Sequence, residues 1–261
     1  MNFSKYTRAA LAAAGAGAKE LLKYYDKTIN VEYKGETDPV TLADKNSQKA
    51  AIKVIKNTFP GHGILAEEDG VAETGKDFCW IIDPLDGTVN FVHGLPAFCV
   101  SVGLKYKDEI ISGVIFSPVM KEVFIAEKGK GAFLNGKKIE VSKEKKLIRS
   151  LAVTGFPYYT RKRPGRVIKN FSKITLETQG IRRLGSAALD LAYVACGRFE
   201  FFWEEGLKPW DIAAGVLAVK EAGGIVSGYD GAEKYFSDMT ILASNNKSIH
   251  KRVLNIINEK R

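Results

Sequence analysis

The spacing of apolar positions predicts two helices at the start of the chain. Small and apolar residues recur at helical intervals over about residues 6–25 and again over about residues 40–59, where Pro60 and Gly61 follow. Because proline and glycine commonly end helices, the second pattern indicates a helix that stops at Phe59. The N-terminal part of the chain therefore opens with helical structure.

The middle of the chain has the pattern of β-strands. Consecutive stretches are rich in β-branched and aromatic residues, and Asn135-Gly136 is a strong signal for a tight hairpin turn. This order predicts an antiparallel meander. The stretches cover residues 97–106, 110–116, 122–127 and 131–141.

After Leu151 the pattern changes to strands that alternate with helices. Helices are predicted over residues 186–196 and 212–222, and Gly223-Gly224 is typical of a helix C-terminal cap. Such alternation indicates α/β structure in this part of the chain, and together with the helices and meander that precede it the order suits an α+β fold overall. We expect one compact unit over residues 1–261, with an N-terminal α+β half (1–146) that carries an antiparallel sheet and a C-terminal α/β half (147–261).

Composition and charge restrict the classes of partner. Lysine and arginine exceed aspartate and glutamate by 39 to 30, so the net charge is +9. A positive protein attracts anions, including phosphorylated substrates and nucleic acids. The basic runs at 128–138, 143–146 and 161–166 lack interleaved aromatic residues, which argues against a single-strand binding platform. We interpret them as solvated surface.

The sequence predicts a cytoplasmic protein without membrane association. It has no stretch of 18 apolar residues of the kind that spans a bilayer. The small-residue run at 9–18 continues into Lys19-Glu20-Leu21-Leu22, which favours a helix over a signal peptide.

Cysteines and histidines are too few and too scattered for a disulfide framework or a zinc site. We expect the cysteines to be reduced core residues and the histidines to be structural. The residues are Cys79, Cys99, Cys196, His62, His93 and His250.

The most informative motif is the break in an apolar run at Asp83-Pro84-Leu85-Asp86. Proline cannot donate to a sheet ladder, so both aspartates are expected where the strand ends. Carboxylate oxygens at such a position suit a hard cation such as Mg²⁺, and a helix opening at Gly87 would offer backbone amides to a phosphate. An alternative is that Asp86 simply caps that helix.

Acidic residues in two other segments strengthen the metal interpretation. A strand-like run ends in Glu67, Glu68 and Asp69, and adjacent acids repel one another unless a cation or solvent relieves them. Further on, Asp211 follows Pro209-Trp210 where another helix is expected to begin.

Taken together, these segments resemble the inositol monophosphatase family of magnesium-dependent, lithium-sensitive phosphatases. The pair Glu67-Glu68, the block 80–90 and the block 210–224 match the family's signatures in order and approximate spacing. The resemblance implies a layered αβαβα sandwich of the type shared with fructose-1,6-bisphosphatase. It also implies a homodimer and hydrolysis of a phosphate monoester, with inositol 1-phosphate as the first candidate substrate.

The resemblance also implies the site residues. Two or three Mg²⁺ ions would be held by Glu67, Asp83, the Leu85 carbonyl, Asp86 and Asp211. Asp83 would bridge two ions, and Glu68 would support the cluster from behind.

A second group would carry catalysis and phosphate binding. Glu67 and Thr88 would hold the attacking, metal-activated water, with Asp44 paired to the Thr88 hydroxyl. The amides of Gly87 and Thr88 would hold the phosphate. Asp44 can alternatively be a plain helix cap.

Substrate contacts are implied at Glu204 and in the loop Gly185-Ser186-Ala187, which favours a polyol phosphate. An alternative is that Glu204-Glu205 is an acidic strand end that faces solvent. Arg182-Arg183 can bind a second phosphate, so fructose 1,6-bisphosphate competes as substrate; an ion-pairing role for these arginines is an equal alternative.

A different class of function is a regulatory binding partner of RNA or the transcription machinery, as in some bacterial relatives of the family. Nucleic acid is not the partner we favour. No role is assigned to Lys34.

Overall fold

The computed structural model describes residues 2–27, 31–33, 39–68 and 77–259. Lys34 and Asp69 lie outside these ranges. The helices are α1 (Lys5–Leu22), α2 (Leu42–Thr58), α3 (Thr88–Val92), α4 (Gly165–Glu177), α5 (Ala187–Ala195), α6 (Pro209–Glu221), α7 (Tyr235–Asp238) and α8 (Lys247–Asn258).

The strands belong to two large sheets and one short pair, β1 with β2. They are β1 (Val31–Tyr33), β2 (Pro39–Thr41), β3 (Gly63–Ala66), β4 (Phe78–Asp86), β5 (Cys99–Tyr106), β6 (Glu109–Ser117), β7 (Glu122–Glu127), β8 (Gly131–Leu134), β9 (Lys137–Ile139), β10 (Leu151–Thr154), β11 (Gly180–Arg182), β12 (Phe201–Glu205), β13 (Ile225–Ser227) and β14 (Thr240–Ser244).

Both predicted N-terminal helices are present, with shifted ends. α1 stops at Leu22, and the second helix begins only at Leu42 because Pro39–Thr41 forms β2. Thr41 is the N-cap of α2, and its side chain accepts a hydrogen bond from the Ala43 amide at 3.1 Å. A capping threonine has extended backbone, which explains why the strand leads directly into the helix.

The predicted meander is confirmed in the seven-stranded sheet, whose order is β3-β4-β5-β6-β7-β8-β9. Strands β4 to β9 pair antiparallel in sequence. The β8–β9 hairpin turns at Asn135 (φ 47°) and Gly136 (φ 81°), the left-handed conformation that this dipeptide favours. β3, which lies outside the predicted meander, pairs parallel with β4.

The second sheet is five-stranded and mixed, in the order β11-β10-β12-β14-β13. β11, β10 and β12 are parallel, whereas β14 runs antiparallel to both of its neighbours. The intervening helices confirm the predicted alternation of strands and helices after Leu151. α6 ends as predicted, because the Gly224 amide bonds to the Val219 carbonyl at 2.8 Å, as in a glycine-terminated helix cap.

Three hydrophobic cores show how the elements stack into layers. One core joins α1 and α2 to one face of the seven-stranded sheet. Another places α5 and α6 between the two sheets. A third packs α4 and α8 on the outer face of the five-stranded sheet. The resulting order is helix pair, sheet, helix pair, sheet, helix pair, which is the predicted αβαβα sandwich.

All three cysteines are free thiols. In the described part of the chain, the helices fall short of the length and apolar character needed to cross a bilayer.

Candidate active site

A cavity of about 670 Å³ is lined by residues from strand ends of both large sheets and from the loops beside them. Its floor comes from the ends of β3 and β4, and its other walls come from the loops that precede α5 and α6 and from the end of β12. The acidic residues among its lining are Glu67, Asp83, Asp86, Asp190, Glu204, Glu205 and Asp211. Acids therefore dominate the polar surface of this cavity.

A β-bulge in β4 shapes the floor. Asp83 pairs with Ser101 and Asp86 with Cys99, so β4 carries one more residue than β5 over this interval. β4 continues through Pro84 to Asp86, because a bulge tolerates the missing amide of proline. Asp86 therefore lies at the strand end as predicted, whereas Asp83 lies within the strand. The Leu85 amide donates to Asp83 Oδ1 at 2.9 Å, which fixes this carboxyl group.

Asp86 ties the floor to α5. Its Oδ2 atom accepts hydrogen bonds from Ser186 Oγ at 2.6 Å and from the Ala188 amide at 2.7 Å. Burial raises the pKa of Asp86 to about 6, and the Ser186 hydroxyl and the amides of α5 hold it from rising further. The expected contact loop at Ser186 and Ala187 is thus joined directly to one predicted metal ligand, and Ser186 is the N-cap of α5.

The acids of the floor repel one another. Asp83 is 2% exposed, and burial followed by repulsion from Glu67, Asp86 and Asp211 raises its pKa well above the usual range. Burial and repulsion from Asp86 likewise raise the pKa of Asp211, although the Lys208 amide donates to Asp211 Oδ2 at 2.7 Å. The structure therefore brings the predicted acidic ligands within mutual electrostatic influence.

This donor set fits a hard divalent cation. Buried carboxylates at close range require either protons or a cation to balance them, and Mg²⁺ takes oxygen ligands. Across the described ranges, the acidic, histidine and cysteine side chains nevertheless do not converge into a preformed metal-binding group of three. The chemistry of the donors matches the metal, while the tight ligand spacing is not already in place.

The two acids at the end of β3 occupy different surroundings. Glu67 lines the cavity, whereas Glu68 is absent from its lining. The backbone of Glu68 is held by α2, since its amide donates to Gln48 Oε1 at 2.9 Å.

Asp44 and Thr88 meet at the edge of the floor. Thr88 Oγ1 lies 3.2 Å from Asp44 Oδ1 and 3.0 Å from the Leu85 carbonyl oxygen. Asp44 Oδ2 also accepts hydrogen bonds from the Thr41 amide at 2.8 Å and the Thr41 hydroxyl at 2.6 Å. Burial raises the pKa of Asp44, and the Thr41 and Thr88 hydrogen bonds oppose that rise. Asp44 therefore completes the capping of α2 and also contacts Thr88.

Gly87 is required by the geometry at the start of α3. It has φ 97°, and a Cβ atom there would lie 2.8 Å from the Ala97 carbonyl oxygen. Only glycine combines this conformation with such a close approach. The Gly87-Thr88 segment is in this way held against the cavity.

Glu204 stands at the end of β12, beside Gly155. Both Glu204 and Glu205 are 8% exposed, so the alternative of a solvent-facing acidic strand end was wrong. Burial and repulsion from Asp211 raise the pKa of Glu204 to about 8, and Arg183 acts in the opposite direction.

Glu205 differs from Glu204 because it is fully engaged. It accepts hydrogen bonds from Tyr159 Oη at 3.0 Å and Arg166 Nε at 2.7 Å. These bonds anchor the segment that contains Phe156, Pro157 and Tyr158, which forms an apolar wall of the cavity.

The two candidate arginines also differ. Arg183 lines the cavity, and its positive charge lowers the pKa of Asp86 and Glu204. Both side chains are exposed, but Arg182 is absent from the lining and donates to the Ile181 carbonyl at 3.2 Å. Of the pair, only Arg183 is placed beside the candidate site, close to Gly185 and Asn90.

Sequence reasoning missed Asp190 and the anchored wall at residues 156–159. A signal for Asp190 existed, since it is the only acidic residue in the otherwise apolar α5 segment AALDLAYVA. The wall had no local signal, because its anchor Glu205 lies 46 residues from Tyr159.

Comparison with known proteins agrees with this architecture. The family model described as "Inositol monophosphatase family" matches residues 2–261. An inositol-1-monophosphatase from Synechocystis is 45% identical over 246 residues, covering 94% of this chain and 84% of that protein. The Nus factor SuhB of Pseudomonas aeruginosa is 41% identical over 245 residues, covering 91% of this chain and 90% of that protein.

A solved structure is similar as well. The crystal structure of the extragenic suppressor protein suhB from Bartonella henselae superposes with a TM-score of 0.93 at 36% identity, covering 99% of this chain and 100% of that one. Fold and site thus define a layered sugar-phosphatase type of sandwich with an acidic cavity. The chain belongs to the inositol monophosphatase family, a family of metal-dependent phosphatases, and the recognition made from its motifs is confirmed.

Proposed function

We propose that this phosphatase hydrolyses the phosphate monoester of a polyol, with inositol 1-phosphate as its first candidate substrate. The observation that carries the proposal is the position of Glu204. This buried acid lines the cavity within electrostatic reach of Asp211 and Asp86, and it makes no salt bridge within the described ranges. A carboxyl group there can accept hydrogen bonds from substrate hydroxyls. The inositol-1-monophosphatase name of the Synechocystis relative supports the same choice.

The acids of the floor would hold Mg²⁺ in two or three positions. The proposed ligands are Glu67, Asp83, Asp86, Asp211 and the Leu85 carbonyl oxygen, with Glu68 behind them. When bound, the ions supply an activated water and neutralise the phosphate oxygens.

Thr88 orients the attacking water in this proposal. Its hydroxyl proton points to Asp44 Oδ1 or the Leu85 carbonyl, so the lone pairs of Oγ1 remain available to accept a hydrogen bond from water. Asp44 acts by fixing that proton, and Glu67 would hold the same water. The amides of Gly87 and Thr88 would receive phosphate oxygens.

The remaining lining residues receive the alcohol part of the substrate. Glu204 and the loop Gly185-Ser186-Ala187 would contact its hydroxyls, and Arg183 would balance the charge of the neighbouring acids. A second phosphate at Arg183 would meet the same acids, Asp86 and Glu204, which disfavours fructose 1,6-bisphosphate. That substrate therefore stays the alternative.

The test is phosphate release from inositol 1-phosphate and from fructose 1,6-bisphosphate under matched conditions, with Mg²⁺, with EDTA and with added Li⁺. We expect a preference for inositol 1-phosphate that EDTA abolishes and Li⁺ inhibits. Equal or greater turnover of the bisphosphate would refute the polyol preference, and metal-independent turnover would refute the ligand assignment.

A second candidate function is regulatory binding of RNA or of the transcription machinery. The relative from Pseudomonas aeruginosa is named a Nus factor, and this chain carries a net charge of +9, which would attract RNA or an acidic partner. Binding of RNA at physiological salt that persists in Asp83→Asn would support this role alongside catalysis. A protein that binds no RNA at physiological salt would refute this regulatory role.

We also propose a homodimer. Sedimentation equilibrium of the purified protein tests this directly, and a monomeric mass at micromolar concentration would contradict it.

A further inference from the structure

Asp190 is a buried acid that neither the motifs nor the proposed chemistry uses. It lies in the first turn of α5, a helix in which every residue is buried. Asp190 itself is 1% exposed and lines the same cavity as the candidate catalytic residues. Among the residues that the structure describes, its Oδ1 atom has no hydrogen-bond partner.

Such a side chain destabilises the protein on its own. A buried polar group without a partner costs free energy of desolvation, and an apolar residue would continue the pattern AALDLAYVA without that cost. Unpartnered buried polar atoms are uncommon and call for a specific explanation. The position of Asp190 at a cavity wall suggests that its partner is a bound molecule.

The charges that act on Asp190 place it on the substrate side of the cavity. Burial, followed by repulsion from Glu204 and Asp86, raises its pKa well above the usual range, and Arg183 opposes the rise. Glu204 and Arg183 are the same residues that surround the predicted alcohol-binding end. Asp190 therefore belongs to a group with Glu204 and Arg183, which we name the acidic wall.

The chemistry of the acidic wall selects a neutral group rich in hydroxyls. A carboxyl group accepts a hydrogen bond from a hydroxyl and, when it carries a proton, also donates one. Arg183 is the cation that offsets these acids, so a second anionic group would add repulsion there. Neighbouring hydroxyls of a polyol offer both donors and acceptors without charge.

We propose that Asp190 is a specificity-determining residue that, together with Glu204, hydrogen-bonds the hydroxyl groups of a polyol monophosphate. This inference rests on the proposed phosphatase function and deepens it, because it assigns substrate recognition to a residue outside the motif set.

The test compares two substrates that differ in hydroxyl groups alone. Inositol 1-phosphate carries hydroxyls around its ring, and cyclohexyl phosphate presents the same ring without them. The measured quantity is the ratio of kcat/KM for inositol 1-phosphate to kcat/KM for cyclohexyl phosphate. Asp190→Leu removes the polar atoms and keeps the branched shape of the side chain, whereas Asp190→Asn keeps one acceptor and one donor group.

We expect Asp190→Leu to lower the ratio by about 10- to 100-fold, because a site built to bind hydroxyls discriminates strongly and loses that discrimination with a partner. Asp190→Asn should restore most of the ratio. The matched control is Asn170→Ala in α4, because Asn170 is also buried, at 2% exposure, and its Oδ1 atom also lacks a partner in the described ranges, yet it is absent from the cavity lining. Its ratio should equal that of the wild type.

Each outcome bears on a separate claim. An unchanged ratio in Asp190→Leu, or an equal loss for both substrates, would overturn the assignment, since the second pattern marks a purely structural role. A wild-type protein that hydrolyses neither phosphate would instead overturn the proposed function itself. If Asp190→Leu does not fold, the inference is overturned when Asp190→Ala, with its fold verified by circular dichroism, keeps the wild-type ratio.

Discussion

Gly155 gives a way to test Glu204 without changing Glu204. A Cβ atom at position 155 would meet both carboxyl oxygens and Cδ of Glu204 closer than 3.0 Å, a separation that real Cβ atoms essentially never show. The backbone at Gly155 has no positive φ, so alanine is compatible with the chain conformation. Gly155→Ala should therefore fold and displace the Glu204 side chain.

The size of the effect follows from the distances. Ordinary contacts between heavy atoms lie at about 3.5–4.0 Å, so the carboxyl group must withdraw by about 1 Å. A displacement of that size at a positioning group can reduce catalysis by about 10²-fold. We expect kcat/KM for inositol 1-phosphate to fall by roughly 10- to 100-fold, and the loss for cyclohexyl phosphate to be much smaller.

The assay is steady-state phosphate release, with thermal unfolding measured on the same samples. Gly61→Ala is the matched control, because a Cβ atom there meets nothing within 4 Å. Wild-type selectivity in a folded Gly155→Ala protein would refute the role assigned to Glu204. If Gly155→Ala lowers Tm strongly, Glu204→Gln is the decisive variant, and unchanged selectivity in that variant would refute the same role.

The remaining predictions concern the floor, the nucleophile and a buried histidine. Asp83→Asn should abolish Mg²⁺-dependent turnover, and retained activity would refute the ligand role of Asp83. The pKa of Asp83 is raised in the folded protein, so its ionised form destabilises the fold at pH values above the pKa that it has in the unfolded chain. The metal-free variant should therefore unfold at a higher temperature than the metal-free wild type at pH 8. Thr88→Ala should lower kcat more than it raises KM, and the reverse split in steady-state kinetics would argue against water orientation. The two ring nitrogens of His250 form hydrogen bonds with serine hydroxyls, Nε2 with Ser227 Oγ at 2.9 Å and Nδ1 with Ser244 Oγ at 2.8 Å. Burial lowers the pKa of His250 to about 4. Stability from this group is present above its unfolded pKa and is lost as pH falls towards 4, by about 2 kcal/mol at pH 5; urea unfolding should show that loss in the wild type, and an equal loss in His250→Gln would contradict the assignment.

The sequence predicts the local parts of this fold well. The Asn135-Gly136 hairpin and the glycine cap of α6 depend on a few adjacent residues whose backbone preferences are strong. The acids at the ends of β3 and β4 were also visible, because each interrupts an apolar run. Features of this kind depend on consecutive residues, so they can be predicted from the sequence.

Features that depend on distant partners were harder to predict. The parallel pairing of β3 with β4 and the bulge that carries β4 past Pro84 are set by neighbouring strands, and propensity does not encode register. The burial of Glu205 requires Arg166 and Tyr159, which no motif connects to it. Asp190 was overlooked because a single acid in a helix ordinarily indicates an exposed face.

The bond between Asp86 and Ser186 joins residues 100 positions apart, one on the seven-stranded sheet and the other at the helix pair between the sheets. Closing a chain segment of this length costs conformational entropy, and the bond requires the sheet and the helix pair to be docked together. A chain with both sheets formed but not yet docked would have nearly all of its secondary structure and no working cavity. Catalytic activity in this protein therefore requires the whole sandwich, and neither half alone would be active.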